Sequence, residues 1–378
     1  MKKSITLVDF SHLAMRNLFI AIGQANPTKK DGLFITQEFM PYFKSLLFNS
    51  LQFIKNKFKN EIILATDGKK NWRKLYYPDY KANRSITKND SDVNFEEFFE
   101  ELDLILEAIK ENFPFKVLAV EEAEADDIAG VISINHGDEL DITLVTSDHD
   151  WLQVQAHNKI RVWDPIKKED QYLTEFDSKI IETCDGPVSR FTLKHALIGD
   201  KGDNVPTITG KSYFSDNFIT YLKEKDITTS CVKTVQEMTT YSELIEKYEI
   251  YEVFKSGHKK GQSKETKDIF KTKPFGIKKA EAAVEKIENL RDLLDSHNMY
   301  RDNFIRNRTL VDFTKIPMEV HDNIMENFSN AEIIYNPNGM LEYFMNEKLG
   351  LHVSNINKFY SSKYDTKTTS SLDDFLEF

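Results

Sequence analysis

The sequence has little of what staples or punctuates small secreted folds. It has only two cysteines, Cys184 and Cys231, in 378 residues. They form neither a disulfide framework nor a zinc spacing, which fits a reducing cytoplasm. Glycine (14) and proline (10) are sparse, which excludes collagen-like and low-complexity classes. No apolar run approaches the length of a membrane-spanning helix, so no membrane partner is expected. The opening MKKSITLVDF starts like a signal peptide, but Asp9, His12 and Arg16 interrupt any apolar core, so none is expected. Broad positive charge is also missing. A net charge of −11 excludes a uniformly basic surface but leaves room for local basic patches. There are no internal repeats, and the length suggests two or three domains.

What is present is a repeated alternation. Ile5–Phe10, Glu61–Asp67, Phe115–Val120, Ile142–Asp148 and Ile160–Asp164 read as short apolar, β-branched strands. Between them, Gln37–Asn60, Asp92–Phe113 and Ala125–Asn135 carry helical spacing. Strands alternating with helices predict an α/β domain with a mostly parallel sheet flanked by helices, over about 1–185. Gly68–Arg84 is polar, basic and aromatic, and its Pro78 disfavours one continuous helix. From about Phe176 the pattern turns helical, and 186–355 is expected to form a second, helical domain. Lys278–Leu294 reads as one helix. Lys255–Lys279 holds nine lysines against Glu265 and Asp268, a net of about +7. Ser361–Ser371 is Ser/Thr/Lys-rich, and 356–378 reads as a flexible tail.

The acids fall in a pattern. Asp9, Asp67 and Asp148 each end an expected strand, and Glu124, Asp126 and Asp127 open a helix just after another. Any one of them could be a solvated turn residue or a helix N-terminal acid. Together they deliver carboxylates to one edge of one sheet, where open α/β folds place their sites. Asp150, two residues beyond Asp148, points the same way if the chain stays extended. Asp200 and Asp203 in GDKGDN are spaced to share one side of a turn, with Gly199 and Gly202 permitting close approach. So many carboxylates repel one another without divalent cations. Oxygen donors without His or Cys favour Mg²⁺ or Mn²⁺ over zinc, and the density suggests two ions.

The ordered set VDF, ATDG, YKANR, EADD, TSDHD and GDKGDN resembles the flap endonuclease and 5′-nuclease family, most of all its phage members with ribonuclease H activity. The resemblance covers roughly residues 4–345. It implies a two-metal 5′→3′ nuclease of DNA replication, which removes RNA primers, adjacent DNA or 5′ flaps from lagging-strand fragments. Asp9, Asp67, Glu124, Asp127 and Asp148 would serve one Mg²⁺, and Asp150, Asp200 and Asp203 the second. Asp126 matches only some members, and Glu122 is the fallback if the register shifts by two. The segment 70–100 would be the family's arch, with Lys81 and Arg84 reaching the phosphate, Arg73 and Lys74 nearby, and Tyr80 stacking on a base. Phe275–Ile287 resembles half of a helix-turn-helix element. With Lys201, Gly202 and Asn204 of the GDKGDN loop, Lys278 and Lys279 would hold duplex backbone without reading bases. About seventy residues separate Asn204 from Gly276, more than the family pattern has.

The closing SLDDFLEF resembles peptides by which phage replication proteins hold a sliding clamp, with Leu372, Phe375 and Phe378 as anchors. A phage single-stranded DNA-binding protein is a further expected partner, the expected state is a monomer, and the expected location is the bacterial host cytoplasm. Two other readings compete. A PIN-type metal-dependent ribonuclease shares the acid-lined sheet but lacks GDKGDN and the 275–287 helix. A non-catalytic branched-DNA binder would have little reason to keep every acid.

Overall fold

The computed structural model describes residues 2–84, 91–183, 186–210, 251–253, 263–265, 275–296 and 298–360. These residues divide into two compact units. One is built from the described residues of Met1–Ile180 and Asp312–Phe378, the other from those of Ile181–Val311.

The first unit is organised on a six-stranded sheet. Its strands are β1 (Ser4–Asp9), β4 (Glu61–Thr66), β5 (Lys116–Ala119), β6 (Asp141–Val145), β7 (Arg161–Asp164) and β8 (Glu169–Gln171). A small hairpin of β2 (Lys29–Lys30) and β3 (Leu33–Phe34) lies apart from it. The sheet order is β5-β4-β1-β6-β7-β8. All pairs are parallel except β7 with β8. The five strands expected from the sequence are all there. The sixth, β8, is polar and three residues long (EDQ), so no apolar signal announced it. In β1 and β4 the side chains alternate between two buried faces. Val8, Ile62, Leu64 and Val145 join a large core with the Phe10–Ala25, Thr36–Phe58 and Phe95–Asn112 helices. Ile5, Leu7, Ile63 and Leu144, also buried, fall on the opposite face.

The boundary expected between domains is corrected by packing. Residues 312–360 belong with the α/β unit, not with a domain of 186–355. Phe344 and Phe359 complete an aromatic cluster with Phe48 and Phe113, with ring centroids 5.0 to 5.9 Å apart for Phe48–Phe113, Phe48–Phe344, Phe113–Phe344, Phe113–Phe359 and Phe344–Phe359. Phe313 lies against Gly130 so closely that a Cβ there would sit 2.6 Å from its ring. Helical periodicity identifies such helices but does not say which sheet they cover.

The second unit opens with the ribbon of β9 (Ile180–Thr183) and β10 (Gly186–Ser189), followed by the Arg190–Ile198 helix. Strands β11 (Tyr251–Val253) and β12 (Ser263–Glu265) pair antiparallel. The single helix expected over 278–294 is two, Ile277–Val284 and Ile287–Asp295, followed by Asn298–Val311. Most of the basic run 255–279 and the whole of 361–378, with Leu372, Phe375 and Phe378, lie outside the described residues.

Candidate active site

Four strand ends bring their acids to one edge of the sheet. Asp9 ends β1 and caps the following helix, accepting from the His12 amide at 2.9 Å. Thr146, just past β6, donates to its other oxygen at 3.0 Å. Asp9 is nonetheless buried, and burial pushes its pKa up to about 6, helped by the Asp67 carboxylate and opposed by the His12 contacts. Asp67 follows β4 and is exposed. Its carboxylate accepts from the Ala125 amide at 2.9 Å, which ties it to the Ala125–His136 helix. The next residue must be glycine. A Cβ on Gly68 would stand 2.1 Å from the Val120 carbonyl oxygen, because 68–72 runs along 121–123 through three backbone hydrogen bonds of 2.8 to 3.0 Å.

Glu124, Asp126 and Asp127 stand at the start of the Ala125–His136 helix and have different surroundings. Asp127 is fully buried (0% exposed). Arg73 clamps it through two nitrogens at 2.7 and 2.8 Å. The Trp72 indole and the Glu124 amide add bonds at 3.1 and 2.9 Å. Glu124 accepts from Arg73 at 3.2 Å, from the Tyr80 hydroxyl at 2.9 Å, and from the Lys81 ammonium. Burial alone would raise its pKa, but Lys81 and Arg73 outweigh that and hold it at about 2. Asp126 has the opposite balance. Burial raises it well above the carboxylate range, and the charges of Asp148, Glu124 and Asp9 add to this. The Trp151 indole donates to it at 2.6 Å.

Past β6 the chain does not stay extended. Asp148 caps a 3₁₀ helix, His149–Ala156, and accepts from the Asp150 amide at 2.9 Å. The expectation that Asp148 and Asp150 project alike from one strand is therefore corrected. The short local hydrogen bond turned the backbone before the second acid was reached. His149 is exposed.

In the second unit, GDKGDN is a loop closed on itself. Asp200 and Val205 exchange backbone hydrogen bonds of 2.7 and 2.8 Å. One Asp200 oxygen accepts from the Gly202 and Asp203 amides at 2.6 and 3.1 Å, and the other lies 3.7 Å from His195. His195, then burial acting the other way, then the amides settle the Asp200 pKa at about 2. Gly199 is left-handed (φ 65°), and a Cβ there would meet the Val205 oxygen at 2.4 Å. Two buried asparagines brace the loop from the Asn298–Val311 helix. Asn307 donates to the Ala196 and Pro206 carbonyls at 2.9 and 2.7 Å, and Asn303 to Ile208 at 2.8 Å. Asn303 and Asn307 carried no individual signal in the sequence, although the stretch around them did.

Comparison with known proteins fits this sheet. A family model described as the 5′-3′ exonuclease N-terminal resolvase-like domain matches residues 4–183. Through these residues, just under half of its length, the chain resembles the flap endonuclease and 5′-nuclease family. Ribonuclease H of Enterobacteria phage T4 is 26% identical over 220 residues, 56% of this chain and 66% of that protein. Flap endonuclease of Escherichia phage T5 is 27% identical over 158 residues, 40% of this chain and 52% of that protein. DNA polymerase I of Streptococcus pneumoniae R6 is 27% identical over 214 residues, 55% of this chain but 22% of that protein. A crystal structure of T5 D15 protein with metal ions superposes with a TM-score of 0.47 at 18% identity, covering 87% of this chain and all (100%) of that one.

Three expected roles are corrected. Arg73 is only 3% exposed and bonded to two carboxylates, so it is not a surface contact for DNA. Asp127 has its oxygens taken by Arg73, Trp72 and an amide, so it positions the helix and is not a free metal ligand. Tyr80 is 4% exposed and donates to Glu124, so it cannot stack on a base as placed. For Arg73 and Tyr80 the reason is that a basic and aromatic stretch looks solvated until its tertiary partners are known; for Asp127 it is that its partner, Arg73, lies 54 residues away in the chain. Lys81 reaches Glu124 from a left-handed residue (φ 56°). Lys74, Arg84, Lys201, Gly202, Lys278 and Lys279 are exposed and Asn204 is half-buried. No described helix is long and apolar enough to cross a membrane.

Proposed function

We propose that the chain is a divalent-metal-dependent 5′-nuclease that hydrolyses phosphodiesters at 5′ ends or flaps of DNA and RNA–DNA hybrids. One observation carries this. Asp9, Asp67, Glu124, Asp126 and Asp148 meet at one sheet edge, and two of them are held above the ordinary carboxylate range: Asp9 by burial and the Asp67 charge, Asp126 by burial and the charges of Asp148, Glu124 and Asp9. A carboxylate cluster without enough internal cations is the setting a divalent ion neutralises. The donors are all oxygens, which suits Mg²⁺ or Mn²⁺. Asp9, Asp67, Asp126 and Asp148 would hold it, with Glu124, already bonded to Arg73, Tyr80 and Lys81, beside them. Asp150, Asp200 and Asp203 as ligands of a second ion rest on the family resemblance. When bound, such ions supply an activated water and positive charge for the phosphate.

The protein's own groups do the positioning. Glu124, at a pKa of about 2, stays ionised across the working range. Thr146 and the His12 amide fix both Asp9 oxygens. Asp127 and Arg73 lock the root of the arch segment to the helix that presents Glu124 and Asp126. Arg84 and Lys74 are exposed beside that root, where they can meet phosphates. Primer removal in phage replication is the biological role that the family resemblance implies. The test is cleavage of 5′-flap, nicked and RNA–DNA hybrid substrates in Mg²⁺ and in chelator. Mg²⁺-dependent cutting from the 5′ side is expected. Equal cutting in chelator, or none of any substrate, contradicts the proposal.

A further inference from the structure

A second concave feature of the first unit has no part in the chemistry above. A cleft of about 1140 Å³ runs beside β5 and ends at Asp67 and Gly68. β5 is the outermost strand of the sheet. In a parallel pair alternate residues turn their N–H and C=O groups to opposite sides, so half of this strand's backbone faces away from β4. Among the described residues, no backbone group outside β4 bonds to Lys116–Ala119. Proteins usually guard such an edge with a lysine, a proline or a bulge. The one lysine here, Lys116, is drawn to Glu61 at 2.8 Å instead.

The charge and apolar surface of the cleft select an occupant. Asp103, Glu107 and Glu111 recur every fourth residue along one line of the Phe95–Asn112 helix, and all are exposed. Leu104 beside them is 67% exposed, and Ile334, which also lines the cleft, 38%. Six carboxylates line the cleft against two lysines, Lys69 and Lys110, and Lys69 already lies 3.7 Å from Asp103. This surface repels a phosphate backbone, although it adjoins the nuclease site. It complements an extended peptide that alternates basic and apolar side chains. We propose that the free edge of β5 receives such a segment of a partner protein as an added strand. Main-chain hydrogen bonds would supply affinity and the acidic helix face specificity.

The probe is a fluorescein-labelled decapeptide of alternating valine and lysine, titrated by anisotropy into the full chain. A twin peptide carries N-methyl groups at alternate residues, which keep the charge but block strand pairing. The protein variants are Leu104→Ser and the double change Glu107→Lys with Glu111→Lys, all on an exposed helix face. Saturable binding of the plain peptide is expected. N-methylation or the double reversal should weaken it at least about tenfold, while flap cleavage stays the same. Four outcomes overturn the proposal: no binding of the plain peptide; equal binding of the methylated twin, which reduces the effect to charge; displacement by a single-stranded oligonucleotide, which makes the occupant nucleic acid; or a dimer of the chain that the double reversal abolishes, which makes it a second copy.

Discussion

Asp126 and Asp127 are neighbours in sequence and opposites in circumstance. Asp127 is enclosed with Arg73, and its charge is neutralised within the fold. Asp126 faces Asp148, Glu124 and Asp9, and its charge is resisted. The same contrast separates Glu124, held at about 2 by Lys81 and Arg73 against its burial, from Asp9, pushed to about 6 chiefly by burial. One half of the cluster is therefore satisfied internally and fixes the segment of Arg73, Tyr80 and Lys81 to the start of the Ala125–His136 helix. The other half is left wanting a cation. What divides structural from chemical acids here is the presence of a built-in partner, which acidity in the sequence does not reveal.

Breaking the uncompensated half should have the largest effect. Asp148→Asn is expected to lower single-turnover cleavage by on the order of a thousandfold or more while leaving DNA affinity in chelator intact. Breaking the compensated half should act on stability instead. Arg73→Ala leaves Asp127 buried and unpaired and is expected to cost about 3–5 kcal/mol in denaturant unfolding. A change in DNA affinity without that loss would put Arg73 back on the DNA-binding surface.

Asp9→Asn should go the other way. A group whose pKa rises on folding contributes stability below its unfolded value and loses it as pH climbs through the folded one. In chelator, Asp9 should weaken the wild type between about pH 4 and pH 6 by up to roughly 3 kcal/mol, and Asp9→Asn should lack that share of the pH dependence. The variant is thus expected to melt higher at neutral pH while failing to cleave. The smallest effects belong to the exposed bases. Lys74→Ala and Arg84→Ala should each reduce the salt dependence of DNA binding by a slope of about one, and Lys74→Ala should leave melting unchanged.

Much of the first unit was legible because its information is periodic. Apolar runs such as ITLV and EIILAT mark buried strands, and the acids at their ends follow from where a parallel sheet places its crevice. What escaped was information carried by contacts between distant segments. Arg73 and Asp127 are 54 residues apart, and nothing local pairs them. Tyr80 and Lys81 read as base-stacking and phosphate-binding groups, and only the fold shows both bonded to Glu124. The return of 312–360 to the sheet depends on Phe344 meeting Phe48 and Phe113, a match of shapes that spacing does not encode. Asp148 misled for a local reason: a carboxylate that caps the next turn ends the extended chain its alternation assumes.

The central claim is that the strand-end acids lack an internal cation and take up a divalent one. Calorimetric titration of Mg²⁺ or Mn²⁺ into the full chain tests it directly, with Asp148→Asn and Lys74→Ala beside the wild type. The account predicts saturable binding that Asp148→Asn weakens or abolishes and Lys74→Ala leaves unchanged. Binding of equal strength in Asp148→Asn, or none in the wild type, would contradict it.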